Sequence, residues 1–520
     1  MQLFPLHPQQ IKTVGFDSWT EIFTVFPDLT NRDIIVNNIL TAYADIIQEC
    51  KAQPSLQYFF LAHVKTVLLF IQVILRHQNL EWARINNYTH VGMAQNKFPL
   101  NDAFDLFCEI LPDPQSIISP ASSIQSTHIA HIKSWLKYKI HYPRLVMSGS
   151  PHILFLEKVD SIGASFCQQE RKKTGFIFLH EYLASFAFAK SHPELKRVEE
   201  LINLFYEKLS CIKNLECLIN ISNLAKERFQ QMLISSFPLF HHFKSCFRKR
   251  NEDVIAVSAG GIISRLFLSA VRATQHKVYG CTHGHLISGA GQQQTVIDGT
   301  IFDEYLFFSK AMVETFKNAA KESIFSFVQP YARYVSDSNY NRISKSKIRK
   351  RAKTNKYIMI MGGPIRACFY FWNPVVDRFN YLFLEYNLIV GLKNRGFSVC
   401  YKGHPDRKAE MKGIFSNYVD CEIFEPFENI LDKADCLIFR TTETTTFGYA
   451  AMFTNIPMVL IETTKDKRDS KIRNFLEKRC AIVPANFDEK GRVITDIEAI
   501  CAAISYAREC AFPLKINGTD

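Results

Sequence analysis

Apolar residues recur at three- and four-residue spacing over 33–48 and again over 55–76, which predicts amphipathic helices. Leu201, Leu204, Phe205, Leu209 and Ile212 mark one face of a further helical stretch over 195–237. Residues 144–151 differ, a short apolar run ending in small turn residues, and read as a strand and loop. At Asp253 the pattern changes. Val254-Ile255-Ala256-Val257 is a continuous apolar run of the kind a buried strand needs, and Ser258-Ala259-Gly260-Gly261 follows as a tight loop. A helix over 262–274 and a strand over 277–281 complete one β-α-β unit, which a strand over 301–308 and a helix over 310–320 extend. From 357 onward the alternation is regular. Strands are predicted over 357–361, 397–402, 421–424, 436–439, 458–461 and 481–483. Helices are predicted over 381–395, 408–415, 427–433, 447–453, 471–478 and 497–509. Such alternation predicts a parallel, doubly wound sheet.

The pattern divides the 520 residues into four parts. Residues 1–135 read as a helical N-terminal region. Residues 136–338 read as a first Rossmann-like, acceptor-side domain with a helical insertion. Residues 339–356 form a basic linker, and 357–520 a second Rossmann-like domain for a nucleotide donor. Two greasy windows, 59–75 and 176–189, are interrupted by His63 and Lys65 and by His180 and Glu181. Their apolar runs are too short to span a bilayer, so both are expected to be buried helices. The first residues lack the basic start and apolar core of a signal peptide.

Composition adds three points. Phe is abundant at 43 residues, so amphipathic, surface-seeking helices are worth looking for. The 14 cysteines, from Cys50 to Cys510, show neither a C-x-x-C pair nor a Cys/His ligand spacing. Reduced thiols, a cytoplasmic location and no metal are therefore expected. The net charge of +12 favours an anionic partner. Lys244, Arg248, Lys249 and Arg250, with the linker residues Arg342 to Lys356, flank one domain and point to peripheral docking on an anionic membrane face. Each basic residue near such a surface is worth about 1 kcal/mol. No nucleic-acid partner is expected, because the basic residues cluster in linkers rather than interleaving with aromatics on one face.

Three strand ends carry residues suited to chemistry. Lys402-Gly403-His404-Pro405 ends one strand, and a histidine there can donate to a phosphate oxygen as it leaves. Pro405 fixes the backbone beside it. Arg440 is followed by five Thr in six positions around Glu443 at a helix start, where hydroxyls and free N–H groups favour an anion. Thr282-His283-Gly284-His285 ends a strand of the first domain. An unperturbed histidine titrates near neutrality, so His283 suits a general base. His285, Asp298, Asp303 and Glu304 remain open alternatives. Gly362-Gly363, and Ser258, Gly260 and Gly261, would let backbone N–H groups approach ligands.

Together these motifs resemble the inverting GT-B glycosyltransferases of bacterial surface polysaccharides. The likeness is to bacterial sialyltransferases and polysialyltransferases, with their His-Pro and Ser/Thr motifs. It extends to the CDP-glycerol glycerophosphotransferases of teichoic acid synthesis, whose first domain carries His-Gly. It covers roughly residues 250–480. The resemblance implies an α/β, GT-B-like fold: two facing Rossmann-type domains with a helical N-terminal extension. It also implies that His404 and Thr444, Thr445 and Thr446 contact the donor phosphate. The family's Lys-Pro-His-Pro is Lys-Gly-His-Pro here, Glu443 interrupts the Thr run, and the Trp common before His-Gly is missing. The paired Glu of retaining enzymes, seven residues apart, is absent, since Ala450 stands seven residues after Glu443. No Asp-x-Asp motif occurs.

The expectation is an inverting, metal-independent glycosyltransferase at the inner face of the plasma membrane. A CMP-linked nonulosonic or Kdo-type donor would serve a glycan or glycolipid acceptor. His283 or Asp298 would act as base. His404, Gly362, Gly363, Lys402, Pro405, Glu443 and Thr444–Thr446 would hold the donor, with Ser258, Gly260, Gly261, Gly284 and His285 on the acceptor side. No cofactor is expected. Two alternatives keep the scaffold: a CDP-alcohol polyol-phosphate transferase, and a non-catalytic, membrane-docked binding protein.

Overall fold

The computed structural model describes residues 3–5, 8–22, 29–92, 97–99, 151–157, 161–184, 186, 192–212, 216–257, 261–282, 292–336, 357–362, 378–405, 408–442, 444–463 and 470–509. The expected strand over 144–151, up to Ser150, and the basic linker lie outside them.

A small sheet joins β1 (Leu3–Pro5), β2 (His90–Gly92) and β3 (Lys97–Pro99) within the region read as helical. The first large sheet holds β4 (Ile153–Leu156), β5 (Thr174–Ile177), β6 (Asp253–Ala256), β7 (Val278–Cys281), β8 (Glu304–Phe307) and β9 (Tyr331–Tyr334). Its order is β5-β4-β6-β7-β8-β9, parallel throughout. The second holds β10 (Tyr357–Met361), β11 (Val399–Lys402), β12 (Cys421–Ile423), β13 (Ala434–Phe439), β14 (Met458–Thr463), β15 (Ala481–Phe487) and β16 (Val493–Thr495). Its order is β12-β11-β10-β13-β14-β15-β16, parallel except for the last pair. The α/β class with two Rossmann-type parallel sheets is thus borne out.

Strand side chains alternate between two faces, and here both faces are covered, which is why the strands read as unbroken apolar runs. Ile358 and Ile360 join Val399, Ile438 and Val459 against the helices Arg378–Asn394 and Ile497–Glu509. Met359 and Met361 join Cys400, Leu437 and Leu460 on the other face, under the helices Thr445–Phe453 and Ser470–Arg479.

The region read as a single helical extension packs in two places. The helices Leu29–Glu49, Pro54–Ala62 and Val64–Ile85 share one core with the first sheet and with the helices Leu195–Ser210 and Glu216–Phe247. Phenylalanines fill that core: Phe59 meets Phe237 edge-on at 4.9 Å and Phe70 lies 5.1 Å from Phe229. The Phe content therefore feeds the interior, and Phe327 is the large exposed Phe among the described residues. The helices Pro8–Val14 and Phe16–Ile22 instead cover the second sheet's domain. Phe16 stacks on Tyr386 at 4.8 Å and on Phe415 at 5.1 Å, and Trp19 is 2% exposed. Burying such side chains stabilises by about 1.5–3 kcal/mol each.

Three expectations are corrected. The helix over 55–76 is two helices that meet at His63 with a bend of 41°. The break releases the carbonyls of Leu61 and Ala62, and the buried Arg265 donates to both. The window over 176–189 opens as strand β5 before the short helix Leu179–Ala184, because Thr174-Gly175-Phe176-Ile177 suits a pleated surface better than a helix. The stretch over 195–237 is two helices, the second running through Pro238 to Phe247. Among the described residues no single helix is long and apolar enough to cross a membrane; the bent pair around His63 passes that test together, and its Phe59, Phe60, Val67 and Phe70 are core residues.

Candidate functional site

In open α/β sheets ligands collect at the carboxyl ends of strands where the strand order reverses. In the second sheet that point lies between β10 and β13. Gly362 follows β10, Lys402-Gly403-His404-Pro405 ends β11, and Arg440 follows β13. Neighbouring strands lie about 4.8 Å apart, so the His-Pro and Thr motifs stand roughly 10 Å apart at strand level, on either side of β10. The structure therefore brings these two motifs to one edge.

The glycines there have packing reasons. A Cβ on Gly403 would stand 2.2 Å from the Phe424 ring, and the Gly403 N–H donates to the Ile423 carbonyl at 2.9 Å. Proline at this position would lose that donor. A Cβ on Gly362 would meet the Tyr401 hydroxyl at 2.3 Å, so Gly362 makes room for Tyr401, and its N–H donates to the Lys402 carbonyl. Lys402 is buried, and its Nζ donates to the Gly403 carbonyl at 2.6 Å. His404 is half-buried and Pro405 exposed.

Arg440 was passed over by the site reading of the sequence. Its side chain is 3% exposed, its Nε lies 2.7 Å from Glu385 Oε1, and its guanidinium stacks 3.3 Å from the centre of the Tyr381 ring. Tyr401 donates its hydroxyl to the other oxygen of Glu385 at 3.1 Å. Burial raises the Glu385 pKa, against the opposing pull of Arg440 and Tyr401. The Nε contact is an ion pair without hydrogen-bond alignment, and both Nη atoms of Arg440 are buried without a hydrogen-bond partner. A planar fork of donors is the geometry that binds phosphate or carboxylate in pairs of bonds.

Beyond Arg440 the chain enters the helix Thr445–Phe453. Thr444 is its N-cap, accepting from the Phe447 N–H at 3.0 Å. Thr442 is fully buried and Thr446 half-buried. Capping thus accounts for one hydroxyl of the run. Glu443 and Gly363 lie outside the described residues, as does the Thr445 side chain.

In the first domain, Thr282 follows β7 and its N–H donates to the Leu306 carbonyl at 3.1 Å. His283, Gly284, His285, Ser258 and Gly260 lie outside the described residues. Gly261 is the N-cap of the helix Ile262–Arg272, and a Cβ there would stand 3.9 Å from Ser264 Oγ. Asp298 sits in the last turn of the helix Gln292–Gly299, which runs back toward the amino edge of the sheet. Its carboxylate pairs with Lys65 at 2.9 Å and lies 3.8 Å from Arg265. Asp303 precedes β8 and accepts from Arg272 and from the Val278 N–H, at the start of β7. Both acids therefore belong to the edge opposite to the carboxyl edge at which Thr282 follows β7. Glu304 pairs with Arg333 at 3.4 Å.

No protein-family model and no curated protein matches the sequence. Among solved structures, the S. aureus protein MnaA, solved with UDP, is similar at 10% identity and a TM-score of 0.36, covering 70% of this chain and 92% of its own. Anabaena HepE, in complex with UDP and glucose, is similar at 12% identity and a TM-score of 0.31, covering 70% of this chain and 95% of its own. At these scores neither likeness bears on activity, and the fold class stands on the two strand orders.

Proposed function

We propose that the chain is an inverting nucleotide-sugar transferase whose donor phosphate rests at the carboxyl edge of the second sheet. One observation supports this most: the buried, unpartnered fork of Arg440 at the switch point, with Lys402 and His404 across β10. A leaving phosphate placed there gains charge-assisted hydrogen bonds from Arg440, and His404 donates to it as the sugar–phosphate bond breaks. The remaining N–H groups of the helix Thr445–Phe453 add the field of a helix N-terminus. His283 keeps the role of base that its sequence context assigns, taking the acceptor hydroxyl proton.

Within this reading the donor is a CMP-linked acidic sugar and the acceptor a glycan or glycolipid at a membrane surface. Melting the protein with CMP, CDP and UDP tests both levels. A bound nucleotide at a hundred times its Kd stabilises by about 2.7 kcal/mol. Cytidine nucleotides should raise the melting temperature. A shift with UDP alone would remove the CMP assignment, and no shift with any nucleotide would remove the donor site. Product mass then separates an added acidic sugar from an added glycerophosphate.

A further inference from the structure

Away from that edge, His192, Glu194 and His241 converge at the junction of the helices Leu195–Ser210 and Glu216–Phe247. We propose that these three side chains form a binding site for a divalent first-row cation, of the zinc class, that pins the two helices together. Each offers one ligand atom, and the three atoms lie within 4.8 Å of one another. His241 Nε2 stands 3.2 Å from Glu194 Oε2, close to the separation of two ligands on one tetrahedral ion. His241 Nε2 is also buried and makes no aligned hydrogen bond, which leaves its lone pair for a cation.

His192 completes the set. Its ring lies 3.8 Å from that of His241, centre to centre, at 37°. The Glu194 N–H reaches His192 Nδ1 at 3.3 Å, longer than a good hydrogen bond, so a metal can take that lone pair at little loss. The site also has walls and a mouth. Phe237, fully buried, stands edge-on to both imidazoles at 5.2 and 4.6 Å. Glu194 is exposed, leaving room for water as a fourth ligand. Lys244, one turn beyond His241, turns its ammonium to Ser55. Two imidazoles and one carboxylate with an open position suit zinc or a neighbouring divalent ion. No short ligand spacing marks this site along the chain, because a His-x-Glu step meets a histidine from the following helix.

Full-length protein stripped with EDTA and titrated with ZnCl2 tests the site. Wild type should bind and melt at a higher temperature with zinc. Glu194→Gln, at an exposed position that leaves the core intact, and His192→Gln should each weaken binding at least tenfold and lose the melting shift. The 14 cysteines could bind zinc on their own, so Co2+ is the second probe. The site predicts visible bands that disappear in Glu194→Gln and lack thiolate charge transfer. Equal zinc affinity in wild type and both variants, or a thiolate spectrum alone, would overturn the proposal.

Discussion

Two buried arginines, one in each domain, look alike by burial and differ in what they hold. Arg265 in the first domain is fully enclosed. Its Nε donates to Ala62, its Nη2 reaches the carbonyls of Leu61 and Ile297 and the Thr300 hydroxyl, and Nη1 faces Asp298. Arg440 in the second domain has one carboxylate at Nε and a ring beneath it, and no hydrogen bond at either Nη. Arg479, in the same domain, repeats the first pattern, donating to the carbonyls of Ala450, Ala451, Thr454 and Ile456. Arg265 and Arg479 each spend Nε and Nη2 on carbonyls and leave only Nη1 without a hydrogen bond. Arg440 stands at a strand edge with neither Nη met, which is the difference that the proposed donor site rests on.

The largest effect that could break this contrast is on stability. Arg265→Met leaves the buried carbonyls of Ala62, Leu61 and Ile297 without their donor, while Asp298 keeps Lys65, and each buried group left unsatisfied costs about 1–3 kcal/mol. Urea unfolding should show that loss, while nucleotide affinity of the folded fraction stays at the wild-type value. Next comes Arg440→Gln, which removes charge-assisted bonds worth about 1.5–3 kcal/mol and should weaken nucleotide binding roughly ten- to a hundredfold. Adding Glu385→Gln should recover stability, since no buried acid is left unpaired, but not affinity; recovery of both would make Arg440 structural. Gly403→Ala forces a Cβ onto the Phe424 ring and should cost about 1–3 kcal/mol. Thermal melting reads that loss, and Phe424→Leu in the same chain should restore part of it. The smallest effect belongs to Thr444→Ala, which removes an N-cap worth about 1 kcal/mol. A loss of nucleotide affinity greater than tenfold in that variant would show that the hydroxyl contacts ligand as well as Phe447.

The second sheet was legible because its strands are short apolar runs closed by Gly, Pro or polar residues, as at Met361-Gly362 and Phe439-Arg440. The strand β4 was missed although Ile153-Leu154-Phe155-Leu156 is such a run, because the nearby apolar run before Ser148 drew the assignment. The strand β5 was absorbed into a greasy window that also holds the helix Leu179–Ala184. Location of the His-Pro and Thr motifs on one edge followed from strand alternation, since parallel strands put all their carboxyl ends together. The state of Arg440 did not follow, because its burial depends on Glu385 and Tyr381, supplied by a distant helix. The cluster of His192, Glu194 and His241 was hidden for the same reason: His241 meets the other two only once two helices have packed.

The helices Pro8–Val14 and Phe16–Ile22 bear on how the chain is made. Their berth is built from the helix Arg378–Asn394 and from Phe415 and Tyr418, with Arg492 and Lys490 holding the carbonyls of Thr20 and Glu21. At synthesis rates of about 5–20 residues per second, that berth leaves the ribosome tens of seconds after the helices do. During that interval Phe16 and Trp19 have no native cover, so the emerging chain carries an apolar hook that chaperones or neighbouring chains can seize. Ribosome-nascent chains halted before residue 378 should therefore be stickier than the same chains lacking residues 8–22.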